Sequence, residues 1–258
     1  MKISIITVVK NGMPHLKDSI KSFDLQKYYK KELIIIYSKS KDSTEKYLKS
    51  LKNSKYKIYK DNNTGNKFDS INLGIKKSSG KIIGILHSDD IFFSDNTLSK
   101  INEGFNKYNA DGLYGGVYYS SKHNLKKILR IWKPSKFKRE NLYFGWMPPH
   151  VSLFLKKKIF TKIGFYSNKY KISSDYEFIL RLLLDKTLLI RSTNFYHNIM
   201  RLGGESTRIK DFFLKLKEDY LIIKSFNFTI ITLFFKITLK VNQLFNKKLL
   251  DNKYLNNF

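Results

Sequence analysis

Lys2-Ile-Ser-Ile-Ile-Thr-Val-Val9 opens the chain with a β-branched run that reads as a largely buried strand. Asn11-Gly12 breaks it, and Pro14 stands where the first turn of a helix accepts proline. Residues 15–28 then carry Leu16, Ile20, Phe23 and Leu25 at helical spacing. Glu32-Leu-Ile-Ile-Ile-Tyr37 is a second buried strand, Ser38 to Ser43 a polar turn, Thr44–Leu51 a helix and Tyr56–Tyr59 a third strand. Strands alternating with helices predict an α/β fold, a mainly parallel sheet flanked by helices on both faces. Ligands of such sheets bind beyond the carboxyl ends of the strands, so function is expected in the loops after Val9, Tyr37 and Leu86.

Further along, Asp69-Ser-Ile-Asn-Leu-Gly-Ile-Lys-Lys77 reads as a helix closed by Ser78-Ser79-Gly80, with the glycine as its cap. Lys81-Ile-Ile-Gly-Ile-Leu86 is a fourth strand that runs straight into His87-Ser88-Asp89-Asp90. Adjacent carboxylates at the mouth of a buried strand repel and raise one another's pKa unless a cation sits between them. Two readings stay open from position alone: a metal pair, or a helix cap with a solvated neighbour. Residues 111–133 form another strand and turn, Val151–Leu155 a strand, and Phe160–Tyr166 a short helix with a turn. Ser173-Ser174-Asp175-Tyr176-Glu177 opens an apolar helix, with serines at the capping positions and acids in the first turn. Read alone, Asp175 is a dipole-favoured acid. Arg201-Leu-Gly-Gly-Glu-Ser-Thr207 reads as a flexible loop.

Composition narrows the classes. The chain of 258 residues has no cysteine, which excludes disulfides, thiolate metal sites and a cysteine nucleophile. Its net charge of +28 invites a nucleic-acid reading, but only six of the 49 basic residues are Arg. The lysines are spread along the whole chain, with none of the Arg forks that read phosphates and bases. No nucleic-acid partner is expected; an anionic substrate or membrane surface would use the same charge. The Met-Lys start lacks an apolar secretory core, so the expected location is the cytoplasm.

From residue 208 the character changes. Phe212, Phe213, Leu216, Tyr220 and Ile223 recur at helical spacing, and 226–235 is nearly solid aromatic and aliphatic between Lys224 and Lys236. The eleven uncharged residues between those lysines fall short of the ~20 that span a bilayer. Two readings remain open: a helix lying in the membrane interface, with Lys210, Lys215, Lys217 and Lys240 among its basic residues, or a helix packed on the catalytic core.

Taken in order, these stretches resemble the family-2 glycosyltransferases, inverting nucleotide-sugar enzymes of the GT-A fold. The carriers are Ile3–Asn11, Glu32–Ile36 with Ser40–Thr44, Asp69–Gly74, Ser79–Asp90, Ser174–Arg181 and Arg201–Gly204. The resemblance covers residues 1–207, taken as the transferase domain, with 208–258 as a helical, basic-aromatic tail. It is closest to the branch that builds bacterial exopolysaccharide and lipopolysaccharide. It implies a UDP- or GDP-sugar donor, a glycan or lipid-linked acceptor, and a Mn²⁺ or Mg²⁺ ion. By position Asp90 would hold the metal, while Asp89 would reach the ribose or share the metal. Asp175 would be the catalytic base. Thr7, Val8, Val9, Tyr37 and Asp69 would line the nucleotide-sugar, and Trp146, His150, His197 and Arg201 would face the acceptor or the diphosphate. One departure stands out: Tyr37 occupies the place of an acid whose carboxylate accepts from the base of the nucleotide. A tyrosine can stack or donate but supplies no carboxylate. That departure motivates the rival reading, a catalytically inactive nucleotide-sugar-binding or scaffold subunit. A nucleotidyltransferase is disfavoured, because Asn11-Gly12-Met13 is no glycine-rich basic loop.

Overall fold

The computed structural model describes residues 1–62, 66–203, 209–242, 248–249 and 252–258. The expected loop through Gly204–Thr207, and the side chains of Lys210 and Lys240, lie outside the described residues. The first half alternates as the sequence predicts: β1 (Ile3–Val9), α1 (Leu16–Asp24), β2 (Lys31–Tyr37), α2 (Thr44–Ser50), β3 (Tyr56–Lys60), α3 (Lys67–Lys77) and β4 (Ile82–Ile85). These four strands are parallel, with β1 between β2 and β4 and β3 outside β2. Ile3, Ile5, Ile6 and the run Leu33–Ile36 are buried, as strands covered on both faces require. The mixed α/β sheet continues through β8 (Phe154–Lys156), antiparallel to β4, and then β6 (Gly112–Ser120). Strand β6 pairs antiparallel with β7 (Lys127–Trp132) and parallel with β9 (Ile190–Arg201). Short β5 (Ile91–Phe92) pairs with β9, and β10 (Lys248–Leu249) with β7.

Helix α1 buries Leu16, Ile20 and Phe23 at i, i+4 and i+7, each worth about 1.5–3 kcal/mol when removed from water. It ends at Asp24, short of the expected 28, because Lys31 stops it: the Lys31 ammonium donates to the carbonyls of Phe23, Asp24 and Gln26. A lysine there satisfies the open carbonyls and the negative end of the helix dipole. Burial holds its pKa down, at about 8.

Two expectations about segment boundaries need correction. Helix α3 is capped by Ser78, not by glycine. Gly80 is required for a different reason: a Cβ there would lie 2.5 Å from Ser4 Oγ and 2.7 Å from Ser4 N. Of the expected strand Val151–Leu155, residues His150–Ser152 form a tight 3-10 turn, and the strand starts at Phe154. The Ser152 hydroxyl explains the turn, donating to both Gly115 O and Pro149 O.

The remaining helices are α4 (Thr97–Tyr108), closed by Asn109 in the left-handed region (φ 44°), α5 (Lys158–Lys162), α6 (Ser174–Leu184), α7 (Ile209–Ser225) and α8 (Ile230–Asn242). Helices α7 and α8 form a hairpin whose inner side joins the main core through Ile222, Ile223 and Leu233, alongside the Phe178–Leu183 stretch of α6. No described helix is long and apolar enough to cross a membrane.

At the amino ends of the strands, far along β2 from its loop, Glu32 accepts from Ser4 Oγ at 2.6 Å and Ser79 N at 2.7 Å. It also pairs with Lys2 and Lys57 at 2.9 and 3.0 Å. Burial opposes ionisation, but these donors outweigh it and hold the carboxyl below its ordinary 4.5. A depressed carboxyl stabilises the fold above its unfolded pKa and loses that contribution as pH falls. Glu32→Gln should therefore cost about 1–3 kcal/mol at pH 7. The gap to wild type should narrow steadily below pH 4.5. Melting curves at several pH values check this, and a gap independent of pH would refute it.

Candidate active site

The loops after β1 and β2 are stitched together. Asn11 N donates to Ser40 Oγ at 3.0 Å, and Asn11 Oδ1 accepts from Lys41 N at 2.7 Å. Gly12 N donates to Thr44 Oγ1 at 2.9 Å, and Met13 N to Asp42 Oδ2 at 2.9 Å. Thr7 and Val9 are buried, and the Thr7 hydroxyl donates to Leu86 O at 2.8 Å. The Thr7 and Val9 side chains pack inside the sheet, and of the three residues expected at the nucleotide-sugar only Val8 has a part-exposed side chain. Tyr37 ends β2 half-buried, and its carbonyl accepts from Asp61 N at 2.8 Å. Asp61, which the sequence reading passed over, brings a carboxylate beside that tyrosine. It accepts from the Ser70 hydroxyl. Asp61 and Asp69 line one cavity of about 260 Å³ with Asn72, Leu73 and Lys76.

Arg201 holds the acidic turn after β4 at two points and ties it to α1. Its N–H donates to Asp90 Oδ1 at 3.2 Å, one guanidinium nitrogen to Asp89 O at 2.6 Å, and the other to Asp18 at 2.6 Å. Arg201, expected at the acceptor or diphosphate, is 5% exposed and bonds the acidic turn. Asp90 is fully buried, and its Oδ2 has no hydrogen-bond partner among the described residues. Burial first, then the Asp89 charge, pushes the Asp90 carboxyl well above the ordinary carboxylate range. Asp89 is half-exposed.

From this turn a line of rings leads to Asp175. His87 and His150 lie with ring centroids 6.3 Å apart, and His150 Nε2 shares a 2.9 Å hydrogen bond with Tyr166 Oη. Burial lowers the pKa of both histidines, His150 to about 4, so both are neutral at pH 7. Asp175 sits half-buried in the first turn of α6, where the N-terminal dipole favours its charge. Burial opposes ionisation, but His150, Lys215, Lys67 and Lys236 together hold its carboxyl at about 2. Lys67, at the start of α3, also bears on both His87 and His150; nothing in its local sequence marks it. The structure thus brings together Asp89, Asp90, His150 and Asp175, and adds His87, Tyr166 and Lys67.

Two expected site residues are otherwise occupied. His197 is fully buried, with Nδ1 on Ser152 O at 2.7 Å and Nε2 on Thr193 Oγ1 at 2.9 Å. Expected at the acceptor or diphosphate, it ties β9 to the 150–152 turn. It also explains Gly115, where a Cβ would lie 2.3 Å from the ring. Trp146 stacks on Phe137 at 5.5 Å and donates to Ser135 Oγ at 3.1 Å.

Sequence patterning also missed the support under Asp175. Glu218 on α7 accepts from Lys171 N, Ile172 N and Ser173 N at 2.8, 2.9 and 2.8 Å. The serines do not cap α6 through their side chains, as was expected; the carboxylate from the tail orders the backbone entering the helix. Beneath it Asp219 and Lys236 form a buried pair at 2.8 Å, with the ammonium 3.1 Å from the Tyr176 ring centroid. Glu at the inward face of a helix among phenylalanines was the only available signal.

Against this geometry, comparison with known proteins is specific. Residues 4–171 match the family model for Glycosyl transferase family 2, and the chain belongs to that family. An uncharacterized glycosyltransferase of Mycobacterium tuberculosis strain H37Rv is 27% identical over 184 residues, covering 70% of this chain and 69% of the relative. A PGL/p-HBAD biosynthesis glycosyltransferase of Mycobacterium bovis is 25% identical over 159 residues, covering 60% and 58%. Among solved structures, Staphylococcus aureus TarS 1–349 in complex with UDP-GlcNAc superposes with a TM-score of 0.68 at 16% identity, covering 95% of this chain and 73% of that one. The mannosyltransferase PcManGT of Pyrobaculum calidifontis, in complex with GDP-Man and Mn²⁺, gives 0.61 at 13% identity, covering 87% and 63%. These likenesses establish the GT-A fold, with C-terminal helices following the sheet.

Glu218 generates a prediction. Glu218→Ala should lower turnover by up to ~10²-fold, the cost of misplacing a reacting group by ~1 Å. The KM for donor should stay near wild type, and Glu218→Asp should recover part of the loss. Steady-state kinetics check this, and an equal loss in donor KM would make the residue a general stabiliser.

Proposed function

We propose that this chain transfers a sugar from a nucleoside-diphosphate sugar to an acceptor hydroxyl with inversion, in the synthesis of a bacterial surface glycan. The observation that carries the proposal is the pairing of Asp175, held ionised by the cations around it, with a buried acidic turn in which Asp90 Oδ2 has no hydrogen-bond partner among the described residues. Family membership and the donors bound by TarS and PcManGT support it.

Asp175 would accept the proton of the acceptor hydroxyl as that oxygen attacks the anomeric carbon from the face opposite the leaving diphosphate. With its carboxyl at about 2 it is charged throughout the physiological range. His150, anchored by Tyr166, lies beside it where the acceptor would enter. A single displacement inverts the anomeric centre.

The acidic turn fits a divalent cation. Asp90 has an orphaned buried oxygen, and Asp89 next to it raises the cost of a second negative charge. Among the described residues no cluster of three His, Cys, Asp or Glu side chains makes a ready cage. Few carboxylates completed by substrate phosphate oxygens is how Mg²⁺ is commonly held, so Asp89 and Asp90 would hold it or Mn²⁺. The ion would supply neutralisation of the charge that gathers on the leaving diphosphate. Arg201 would hold the turn through Asp90 Oδ1 and the Asp89 carbonyl, and Thr7, Val8, Val9, Tyr37 and Asp69, with Asp61, would meet the nucleotide. Asp61 offers the carboxylate that Tyr37 lacks. The acceptor we infer is a lipid-linked glycan, met in the cytoplasm at the inner face of the plasma membrane. The split at residue 207 into a transferase domain and a helical tail is part of this reading.

Two outcomes test it. Asp175→Asn should lower turnover by ~10²–10⁴ while leaving donor binding intact. Asp90→Asn should abolish transfer and remove the Mn²⁺-dependent thermal stabilisation given by UDP or GDP. Release of nucleoside diphosphate is the readout for turnover, and its absence from the wild-type chain across a donor panel would favour the inactive-subunit reading. In saturating Mn²⁺ the acid limb of kcat/KM should lie below about pH 4, where His150 and then Asp175 take up protons. A limb near pH 6 would assign the base to another group.

A further inference from the structure

Helix α8 is built inside out for a water-facing surface. Its one described charge, Lys236, is 2% exposed, while Ile230, Ile231, Phe234 and Ile237 are 59, 58, 64 and 41% exposed. A helix packed against a core in water turns its apolar stripe inward and its charges outward. Here the inward side is served by Lys236 pairing with Asp219, and the apolar stripe faces away. The exposed face continues beyond the helix: Phe144, half-exposed, meets Phe235 edge-on at 5.4 Å, and Tyr143 meets Phe228 at 5.0 Å. On α7 the outer stripe is mixed. Phe213 and Tyr220 are 72 and 41% exposed, and Lys217 and Lys224 recur among them at i+4 and i+11 from Phe213.

We propose that this outer face of the α7–α8 hairpin seats on a phospholipid bilayer that carries anionic headgroups. The hairpin supplies what an interfacial helix needs, an apolar stripe to enter the acyl boundary and lysines at headgroup level. Charge complementarity favours lipid over a second copy of the chain. At +28 overall, two copies repel, whereas an anionic leaflet attracts. The stripe is too short to span, and no described helix is long and apolar enough to do so, so the hairpin lies on the surface. Docking there puts Asp175 next to the membrane, since Glu218, Asp219 and Lys236 on the inner side of the same hairpin support it. The inference rests on the lipid-linked acceptor reading for its setting, but it is tested without donor or acceptor, so the two fail separately.

The experiment is sedimentation of the full chain with vesicles of phosphatidylcholine alone and of phosphatidylcholine with 30% phosphatidylglycerol (about the anionic content that gives a strong surface potential). Wild type should pellet with the anionic vesicles and loosen only in part at about 1 M salt, where the Debye length shrinks to ~3 Å but apolar insertion persists. Phe213→Ser/Ile231→Ser/Phe234→Ser should weaken binding at least about tenfold, with melting temperature and nucleoside-diphosphate release unchanged. Lys217→Gln/Lys224→Gln, which leaves the apolar stripe whole, should weaken binding to anionic vesicles by about 25-fold and leave neutral vesicles unaffected. Failure of wild type to pellet with either vesicle overturns the proposal, as does full binding by the triple serine variant. So does a wild-type dimer that the triple variant dissolves, because a second copy would then cover the face.

Discussion

Placing two adjacent carboxylates at the end of a buried strand is the constraint around which this molecule is arranged. Asp89 and Asp90 follow directly on β4, and in an apolar interior they would repel and take up protons. One residue, Arg201, reaches both: its backbone N–H bonds Asp90 Oδ1 and one arm of its fork bonds the Asp89 carbonyl, while the other arm anchors to Asp18 on α1. A planar fork that is pre-organised suits such bridging between segments. Arg201 reaches the turn because β9 runs the length of β6, and β9 in turn is pinned by His197 and by glycines that let it approach. Much of the second half of the sheet therefore serves to deliver one side chain to one turn.

Asp175, the proposed base, answers the opposite electrostatic problem. Asp90 is left short of positive charge, whereas Asp175 is surrounded by it, and its carboxyl falls to about 2 while Asp90 rises. Two acids separated in this way can take different roles in one reaction, and in the proposed transfer one would meet a cation and the other a proton. His87 and His150, 6.3 Å apart by ring centroids, are both neutral at pH 7, because burial lowers their pKa values.

The first half of the fold was legible in the sequence because each element there carries its own signal. Ile3–Val9 and Leu33–Tyr37 are continuous apolar runs, and α1 and α3 have clear helical spacing. The second half was harder. Strand β9 contains Arg191, Asn194, His197 and Asn198, and its burial comes from partners distant in sequence rather than from its own pattern. Asp89, Asp90 and Asp175 stood out by spacing and family likeness. His197 and Arg201 were visible too, but which way each faced depends on contacts that no local pattern records. Glu218 and Lys67 were invisible for the same reason: their neighbours lie in other segments. In the tail, the hairpin's inner face packs on α6 while its outer face carries exposed apolar side chains, a division between two faces that the sequence pattern alone does not resolve.

The three backbone bonds accepted by Glu218 bear on how this architecture can be recombined. A C-terminal segment that merely followed the transferase fold could be exchanged between relatives as a module, to redirect the enzyme toward a new acceptor. Here the junction is two-sided, because the 171–173 backbone and Tyr176 are complements of Glu218, Asp219 and Lys236. A chimera that grafted a foreign tail after residue 207 would strand those three N–H groups and leave Tyr176 without its ammonium. The unit of inheritance is the tail together with the approach to α6, and the crossover point for shuffling lies upstream of Lys171.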